Sequence, residues 1–259
     1  EVIRSWIARS AAVFEREEVQ AGVRYGPTRA EYVDIFPAGR DAPVHLFIHG
    51  GYWRRFSARD FAFLAPCFRE AGITLVNVNY ALCPHVTIGE IVRQVRAAVA
   101  WVARHAPSFG GDPERITLSG HSAGGHLVAT TAFTDWPGLY DLPAEVVKGG
   151  LAISGLFDLR PLPYTWLQPT LQLDWGEVLR FSPLLTLPER APPLVVAVGG
   201  SETAEFRRQS RDFQAACVAA GLVCGYRELP GLDHFRILDE LARPDGELFR
   251  AVLELIFGE

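Results

Sequence analysis

The sequence predicts an α/β protein in which helices cover both faces of a mostly parallel central sheet. Two observations support this class. Short apolar or β-branched runs alternate along the chain with longer stretches of helical spacing. Some of these runs, such as PLVVAVGG at 193–200, are almost continuously apolar, which suits strands that are buried on both faces. With 259 residues, 49% of them hydrophobic, the chain can bury a sizeable core without metal or disulfide staples. We therefore expect one domain over residues 1–259.

The elements follow in order. Residues 1–20 carry early acids and have the spacing of an amphipathic helix rather than the pattern of an export signal. Seven later runs predict strands, at 32–36, 45–48, 74–79, 116–119, 151–154, 194–199 and 223–229. Five stretches predict helices, at 61–71, 88–105, 126–133, 204–220 and 248–257. The segment 155–185 is rich in Pro, Trp and Leu and fits neither pattern, so we expect it to form a cap over a site.

The composition argues against several classes of function. A net charge of -5 gives no basic surface for nucleic acid, and the apolar runs are too short and too interrupted to cross a membrane. The four cysteines are scattered without a CxxC pair, so we expect buried free thiols and a cytoplasmic protein. The oligomeric state stays open, with a homodimer among the alternatives. The four cysteines are Cys67, Cys83, Cys217 and Cys224.

The most informative motif is GHSAG at 120–124, which lies between a strand-like run and a helix-like run. It is a G-x-S-x-G sequence in the strand–turn–helix context that this motif requires. The sharp turn would hold Ser122 in a strained conformation at a helix N-terminus, and the flanking glycines would let neighbouring backbones approach. Ser122 is therefore the predicted nucleophile, with an ordinary glycine turn as the alternative.

A serine nucleophile needs a histidine base and an acid that orients this base. Of the seven histidines, only His234 follows the Ser122 helix and the later strands, in the order Ser, acid, His that this motif favours. The acid is expected directly after the strand 194–199, where Glu202 comes first. Glu205 and Asp233 remain alternatives, because Glu205 falls in the first turn of a helix, where the helix dipole alone accounts for an acid.

The segment HGGYW at 49–53 ends another strand. Two glycines would let the backbone turn so that the N–H groups of Gly51 and Tyr52 point inward, and Ala123 would supply a third N–H. Together they predict an oxyanion hole, with a simple Gly-Gly turn as the alternative. We expect His49 to fix this loop by hydrogen bonds rather than to transfer protons.

Aromatic residues are the candidates for the wall of a substrate pocket, although aromatic side chains more often belong to the core. No metal site is expected, because His121 and His126 are five residues apart and would diverge by about 140° on a helix. The candidate pocket residues are Tyr52, Trp53, Trp136, Tyr140, Trp166 and Trp175.

The segments HGGYW, GHSAGGHL, GSETAEFRRQS and DHF occur in this order, and with them residues 22–240 resemble the α/β-hydrolase family. The resemblance is closest to its kynurenine formamidase (arylformamidase) branch, near the hormone-sensitive-lipase-like esterases. It implies an α/β-hydrolase fold, a small-molecule acyl substrate, no cofactor, and the roles given above to Ser122, Glu202 and His234. The tyrosine and tryptophan after the glycine pair are a more specific feature of that branch than G-x-S-x-G. Formamidases usually have aspartate where this chain has Glu202, which is a departure from their pattern.

Three functions follow from these residues and this resemblance. The first is hydrolysis of the formamide of N-formyl-L-kynurenine, or of a similar aryl formamide, through an acyl-enzyme. The second is a general carboxylesterase that acts on short-chain or aryl esters with the same triad. The third is a binding protein of the same fold that captures a ligand without turnover, and the joint presence of Ser122, Glu202 and His234 counts against it.

Overall fold

The computed structural model describes residues 1–258, and its centre is one eight-stranded sheet. The strands are β1 (Gln20–Arg24), β2 (Tyr32–Phe36), β3 (Ala42–Ile48), β4 (Thr74–Val78), β5 (Gly111–His121), β6 (Val147–Ile153), β7 (Leu194–Gly199) and β8 (Cys224–Leu229). Their order across the sheet is β1-β2-β4-β3-β5-β6-β7-β8. The pairs β1·β2 and β2·β4 are antiparallel, and all the others are parallel. The predicted mostly parallel α/β sheet is confirmed.

Alternation along the central strands divides the core into two halves. All seven residues of β3 are buried. Val44, Leu46 and Ile48 belong to one hydrophobic cluster, whereas Phe47 belongs to the other. Because successive side chains of a strand point to opposite faces, the two clusters are the layers above and below the sheet.

Helices cover both of these layers. They are α1 (Val2–Arg16), α2 (Ala65–Glu70), α3 (Ile88–His105), α4 (Ala123–Ala132), α5 (Trp136–Tyr140), α6 (Gln168–Leu171), α7 (Trp175–Arg180), α8 (Ala204–Ala219) and α9 (Glu247–Phe257). Helices α3, α4 and α8 contribute to the cluster of Val44, and α1, α2 and α9 to the cluster of Phe47. None of the helices within residues 1–258 is long and apolar enough to cross a membrane.

The amphipathic helix predicted for residues 1–20 is α1, and it packs on a 3₁₀ helix, Ala58–Leu64. The ring of Trp6 stacks on Phe63 with centroids 5.8 Å apart. The Ser10 hydroxyl donates to the Asp60 carbonyl at 2.9 Å and accepts from the Phe63 N–H at 3.1 Å. The start of the chain is thereby fixed against the loop that follows β3.

Two predicted segments differ in detail from the structure. The stretch 61–71 is not one helix, because a capping box between Ser57 and Asp60 starts the 3₁₀ helix three residues earlier and α2 follows it. The segment 155–185 forms short 3₁₀ helices at Leu162–Tyr164 and Pro183–Leu185, together with α6 and α7. The four cysteines are free and buried, as expected.

Candidate active site

Ser122 lies in the turn between β5 and α4, where its backbone adopts φ 58° and ψ -118°. A positive φ is costly for a serine, so the surrounding structure must hold this turn. The Ser122 N–H donates to the Ile153 carbonyl at 2.8 Å, which fixes the turn to β6. A Cβ atom on Gly124 would collide with the carbonyl of Ile48, and one on Gly120 with the carbonyl of Gly124. The two glycines of the motif are therefore required by close backbone contact.

His234 lies in the loop that follows β8, and its Nε2 atom is 3.1 Å from the Ser122 Oγ atom. Its backbone carbonyl accepts a hydrogen bond from Nε2–H of His121 at 2.7 Å. Its ring packs against Phe206, with centroids 4.3 Å apart. Burial, followed by the neighbouring His234, lowers the pKa of His121 well below its usual value, so His121 serves as a neutral donor.

Glu202 follows β7, and its Oε2 atom is 2.6 Å from Nδ1 of His234. Its Oε1 atom accepts from the Ser154 hydroxyl at 2.5 Å and from the Gly199 N–H at 2.8 Å. The Glu202 side chain is only 1% exposed. A buried carboxylate requires such partners, and here three donors satisfy it. The longer side chain of glutamate thus reaches the imidazole. The hydrogen bonds between Glu202 and His234 and between His234 and Ser122 are therefore present although the acid is not aspartate.

The two alternative acids lie elsewhere. Glu205 accepts from Arg208 at 2.8 Å on the surface of α8. Asp233 accepts the N–H groups of Phe235 and Arg236 at 2.9 and 2.8 Å. The structure therefore brings Glu202 to His234, and neither alternative bonds to that ring.

Sequence reasoning did not single out Ser154. It follows β6 directly, with φ 51°, and its N–H donates to the Ala197 carbonyl at 2.7 Å. The sequence feature that could have identified Ser154 is a polar residue at the end of a predicted strand, and a similar position identified Glu202. Ser154 holds the oxygen of Glu202 that faces away from the imidazole.

The HGGYW segment forms a turn against Ser122. A Cβ atom on Gly50 would lie 2.5 Å from the His121 carbonyl oxygen and 3.0 Å from Cβ of Ser122. Gly51, Tyr52 and Trp53 all have positive φ, of 106°, 50° and 56°. Within residues 1–258, the N–H groups of Gly51 and Tyr52 have no backbone acceptor. Two backbone donors are thus left free beside the serine, and Ala123 lies on its other side as the first residue of α4.

His49 supports this turn as expected. Its Nδ1–H donates to the Gly50 carbonyl at 2.8 Å, and its ring stacks on Tyr80 with centroids 4.1 Å apart. The Tyr80 hydroxyl donates to the His49 carbonyl at 2.7 Å. Complete burial lowers the pKa of His49 to about 4, so the imidazole is neutral at physiological pH.

A cavity of about 260 Å³ opens beside Ser122 and His234. Its other lining residues are Ile3, Trp6, Gly50, Gly51, Tyr52, Arg54, Arg55, Phe56, Phe61, His121, Trp166 and Phe235. The volume is slightly below the typical range of ligand cavities, which is about 300–1,000 Å³. Sequence reasoning missed Ile3 and Trp6, which α1 brings to the cavity from the start of the chain.

Of the predicted pocket aromatics, Tyr52 and Trp166 line the cavity. The prediction is wrong for Trp53, Trp136 and Tyr140. Trp53 is fully buried in the core, because positive φ values at two successive residues turn its ring away from that of Tyr52. Trp136 and Tyr140 pack against each other on α5, with centroids 5.3 Å apart.

Trp175 is also outside the cavity, because it is 51% exposed and packs near Tyr164 at 6.4 Å. The segment 155–185, expected to be a cap, contributes the single side chain of Trp166 to the lining. Most of the segment packs elsewhere. The Phe181 carbonyl, for example, accepts from Nε2–H of His126 at 2.7 Å. Within residues 1–258, no three His, Cys, Asp or Glu side chains are grouped as metal ligands would be.

Comparison with known proteins gives matches over most of the chain. A family model described as BD-FAE matches residues 34–141, the part that carries the HGGYW and GHSAG segments. Kynurenine formamidase from Danio rerio is 30% identical over 99% of this chain and 89% of its own length. Esterase LipQ from Mycobacterium tuberculosis is 31% identical, over 82% of this chain and 56% of the esterase.

Among solved structures, a candidate thioesterase from Silicibacter sp. tm1040 superposes with a TM-score of 0.84 at 29% identity, covering 96% of this chain and 92% of that one. A Pyrobaculum calidifontis esterase, 18% identical with a TM-score of 0.76 over 98% of this chain and 92% of that one, shares the fold. The match to the Danio rerio enzyme, at 30% identity, covers nearly the whole of both chains. The chain therefore belongs to the α/β-hydrolase family, in its kynurenine formamidase-like branch, and is a hydrolase.

Proposed function

We propose that this hydrolase removes a small acyl group from an aryl formamide, such as N-formyl-L-kynurenine, through an acyl-enzyme on Ser122. One observation carries the proposal. Glu202, His234 and Ser122 form a continuous hydrogen-bonded series, with separations of 2.6 and 3.1 Å, that ends at the wall of the cavity. This is the arrangement that activates a serine hydroxyl.

In the proposed reaction, His234 takes the Ser122 proton as the oxygen attacks the carbonyl carbon. Glu202 holds the Nδ1–H tautomer and stabilises the imidazolium that forms. The N–H groups of Gly51, Tyr52 and Ala123 then donate to the oxyanion, and each such donor is worth roughly 10²- to 10³-fold in rate. His234 gives its proton to the departing nitrogen. His234 then takes a proton from the water that attacks the formyl-enzyme, and it returns this proton to the Ser122 Oγ atom as formate is released.

The shape and chemistry of the cavity support a small acyl group with a single aromatic ring. A volume of about 260 Å³ leaves little room for a long acyl chain once an aryl group is bound. The wall is mostly aromatic, and rings of this kind pack well against an aryl ring. The similarity to the Danio rerio kynurenine formamidase points in the same direction.

A carboxylesterase that acts on short-chain or aryl esters is the second candidate. It is favoured by the comparable identity to esterase LipQ, and the same triad and oxyanion donors would serve an ester. The two functions differ in the leaving group, since an aryl amine must be protonated as it departs and a phenolate need not be.

Substrate profiling tests the choice. We expect purified protein to hydrolyse N-formyl-L-kynurenine with a higher kcat/KM than short-chain p-nitrophenyl esters. Efficient ester cleavage with negligible release of formate would contradict the formamidase assignment and favour the carboxylesterase.

The serine mechanism is tested separately. Ser122→Ala should abolish turnover of both substrate classes, whereas Ser108→Ala, which removes an exposed hydroxyl in the 3₁₀ helix that follows α3, should not. A sulfonyl fluoride should label the peptide that contains Ser122. Labelling at another residue, with full activity of Ser122→Ala, would eliminate this mechanism.

A further inference from the structure

We infer that Arg54 binds a carboxylate on the leaving group of the substrate, so that this hydrolase prefers acyl donors whose leaving group carries a carboxylate. The inference rests on the proposed function, because it takes the cavity beside Ser122 as the substrate site. In a formamide the acyl group is formyl, which has no atoms to carry a charge. An anion that reaches this cavity as part of the substrate must therefore belong to the leaving group.

The charge of the cavity wall is the first observation. Arg54 and Arg55 are among the lining residues, and no aspartate or glutamate is. The nearest acid of the site, Glu202, lies behind His234, is 1% exposed and is satisfied by its own donors. The whole chain carries a net charge of -5, so the positive charge at the cavity is a local feature. Such a site favours an anionic ligand.

The second observation is that the Arg54 guanidinium has no acceptor. Within residues 1–258, Arg54 donates no side-chain hydrogen bond and forms no salt bridge. Other arginines also lack an acceptor, but they are exposed. Arg54 is the half-buried one among them. A half-buried arginine beside a cavity is less hydrated than an exposed one, and a carboxylate in the cavity would supply acceptors for its N–H groups.

The third observation is the orientation given by its neighbours. The Arg54 guanidinium lies over the Trp166 ring, 5.3 Å from the centroid, and Trp166 makes an edge contact with Tyr52 at 6.3 Å. The Arg54 N–H donates to the Gly51 carbonyl at 3.1 Å, so the turn beside Ser122 also positions this residue. A cation–π contact of this kind uses no N–H hydrogen bond, so the Arg54 N–H groups stay available. These donors match a carboxylate in a bidentate pair.

The leaving group of N-formyl-L-kynurenine carries a carboxylate next to its α-ammonium group, and Arg54 would hold this carboxylate at the cavity. Arg55 also lines the cavity, but its side chain is exposed. Exposed ion pairs contribute little, because water and salt screen them. The structure therefore assigns the selection of charge to Arg54 rather than to Arg55.

Four model substrates test the inference: 3-formamidobenzoate, 3-formamidobenzamide, 3-acetoxybenzoate and 3-acetoxybenzamide. Comparison of carboxylate with carboxamide at constant acyl group measures the preference for charge. Comparison of formamide with ester at constant ring substituent measures the proposed function. In Arg54→Gln, the carboxylate-to-carboxamide ratio of kcat/KM should fall by about 10- to 100-fold, as expected for loss of hydrogen bonds to a charged group. The change should appear mainly in KM, because binding is lost in ground and transition states alike.

Three further variants serve as references. Arg54→Lys keeps the charge but loses the planar pair of N–H donors that binds a carboxylate bidentately. Its carboxylate-to-carboxamide ratio of kcat/KM should therefore lie between those of the wild type and Arg54→Gln. Arg180→Gln removes an exposed cation on α7 that does not line the cavity, and it should leave the ratio unchanged. Arg55→Gln should lower the ratio by much less than Arg54→Gln. Raising the salt concentration should reduce the preference of the wild type.

The outcomes separate the two claims. Equal kcat/KM of the wild-type protein on carboxylate and carboxamide would overturn the inference, as would an Arg54→Gln variant that slows both equally. A full effect in Arg55→Gln with none in Arg54→Gln would overturn the assignment to Arg54. A protein that cleaves only the two esters, but still prefers the carboxylate through Arg54, would contradict the formamidase proposal and leave this inference standing.

Discussion

Four histidines are buried in the core and at the site, and they make the stability of the fold sensitive to mild acid. Burial lowers the pKa of His45 to about 3 and the pKa of His49 and His126 to about 4. Burial also lowers the pKa of His121 well below its usual value, with the neighbouring His234 adding to the effect. All four rings are neutral in the folded protein at physiological pH.

The direction in which the free energy of unfolding changes with pH follows from the number of protons that the folded and unfolded states bind. In the unfolded chain these imidazoles regain a pKa of about 6.5, so below that pH the unfolded state binds more protons than the folded state. Stability is therefore fully present above about pH 6.5 and is lost as the pH falls towards the folded pKa values. Between pH 7.5 and pH 5, a histidine with a folded pKa of about 4 loses about 2 kcal/mol. His45, His49 and His126 together lose about 6 kcal/mol, and His121 adds to this loss. The loss is comparable to the whole stability of a typical domain.

Urea unfolding followed by circular dichroism at several pH values between 7.5 and 5 measures this loss. We expect the free energy of unfolding to fall below pH 6.5, with a slope of about half a proton per buried histidine at pH 6.5 that approaches one proton per histidine near pH 5.5. His45→Gln should remove about one quarter of the pH dependence, because His45 bonds only to the neutral hydroxyls of Thr117 and Ser119. His85→Gln, at an exposed position, is the matched control. A free energy that stays constant from pH 7.5 to pH 5 would refute the reasoning.

Three further predictions concern the site and its turn. Glu202→Gln should lower kcat/KM by about 10²- to 10⁴-fold, because it removes the charge that stabilises the imidazolium. Glu205→Gln should have little effect in the same steady-state assay, and equal losses in the two variants would contradict the assignment of the acid. Ser154→Ala should lower the free energy of unfolding by about 1–3 kcal/mol, measured in urea at neutral pH, because it removes a buried donor to a charged oxygen. An unchanged midpoint would show that this bond contributes nothing net. Gly124→Ala should fail to give folded protein in a thermal unfolding assay, because its Cβ atom would overlap the backbone of β3. Gly225→Ala, where a Cβ atom meets only ordinary contacts at 3.7 Å or more, should fold, and a stable Gly124→Ala protein would contradict the reading of the motif.

The meeting of Ser122, Glu202 and His234 could be predicted because each follows a strand-like run. The carboxyl ends of parallel strands share one edge of the sheet, so residues that follow different strands converge there. Ser154 follows β6 in the same way and could have been found by the same rule. The fold and the convergence of these residues therefore depend on a pattern that is visible in the chain.

The walls of the cavity could not be predicted in this way. The amphipathic spacing of α1 indicates an apolar face but not the surface on which it packs, so the approach of Trp6 to His121, at 6.4 Å, had no local signal. The strand β1 is mostly exposed and lacks an alternating pattern. Tyr52 lines the cavity, whereas Trp53 is buried in the core. This difference follows from positive φ values that a residue type does not reveal.

His121 and Ser122 are adjacent in the chain, and they hold different parts of His234, the first its carbonyl and the second its ring. The turn that carries the nucleophile therefore also positions the loop that carries the base. The two contacts that do so do not involve Glu202. Replacement of the acid would therefore leave both of these contacts with His234 in place.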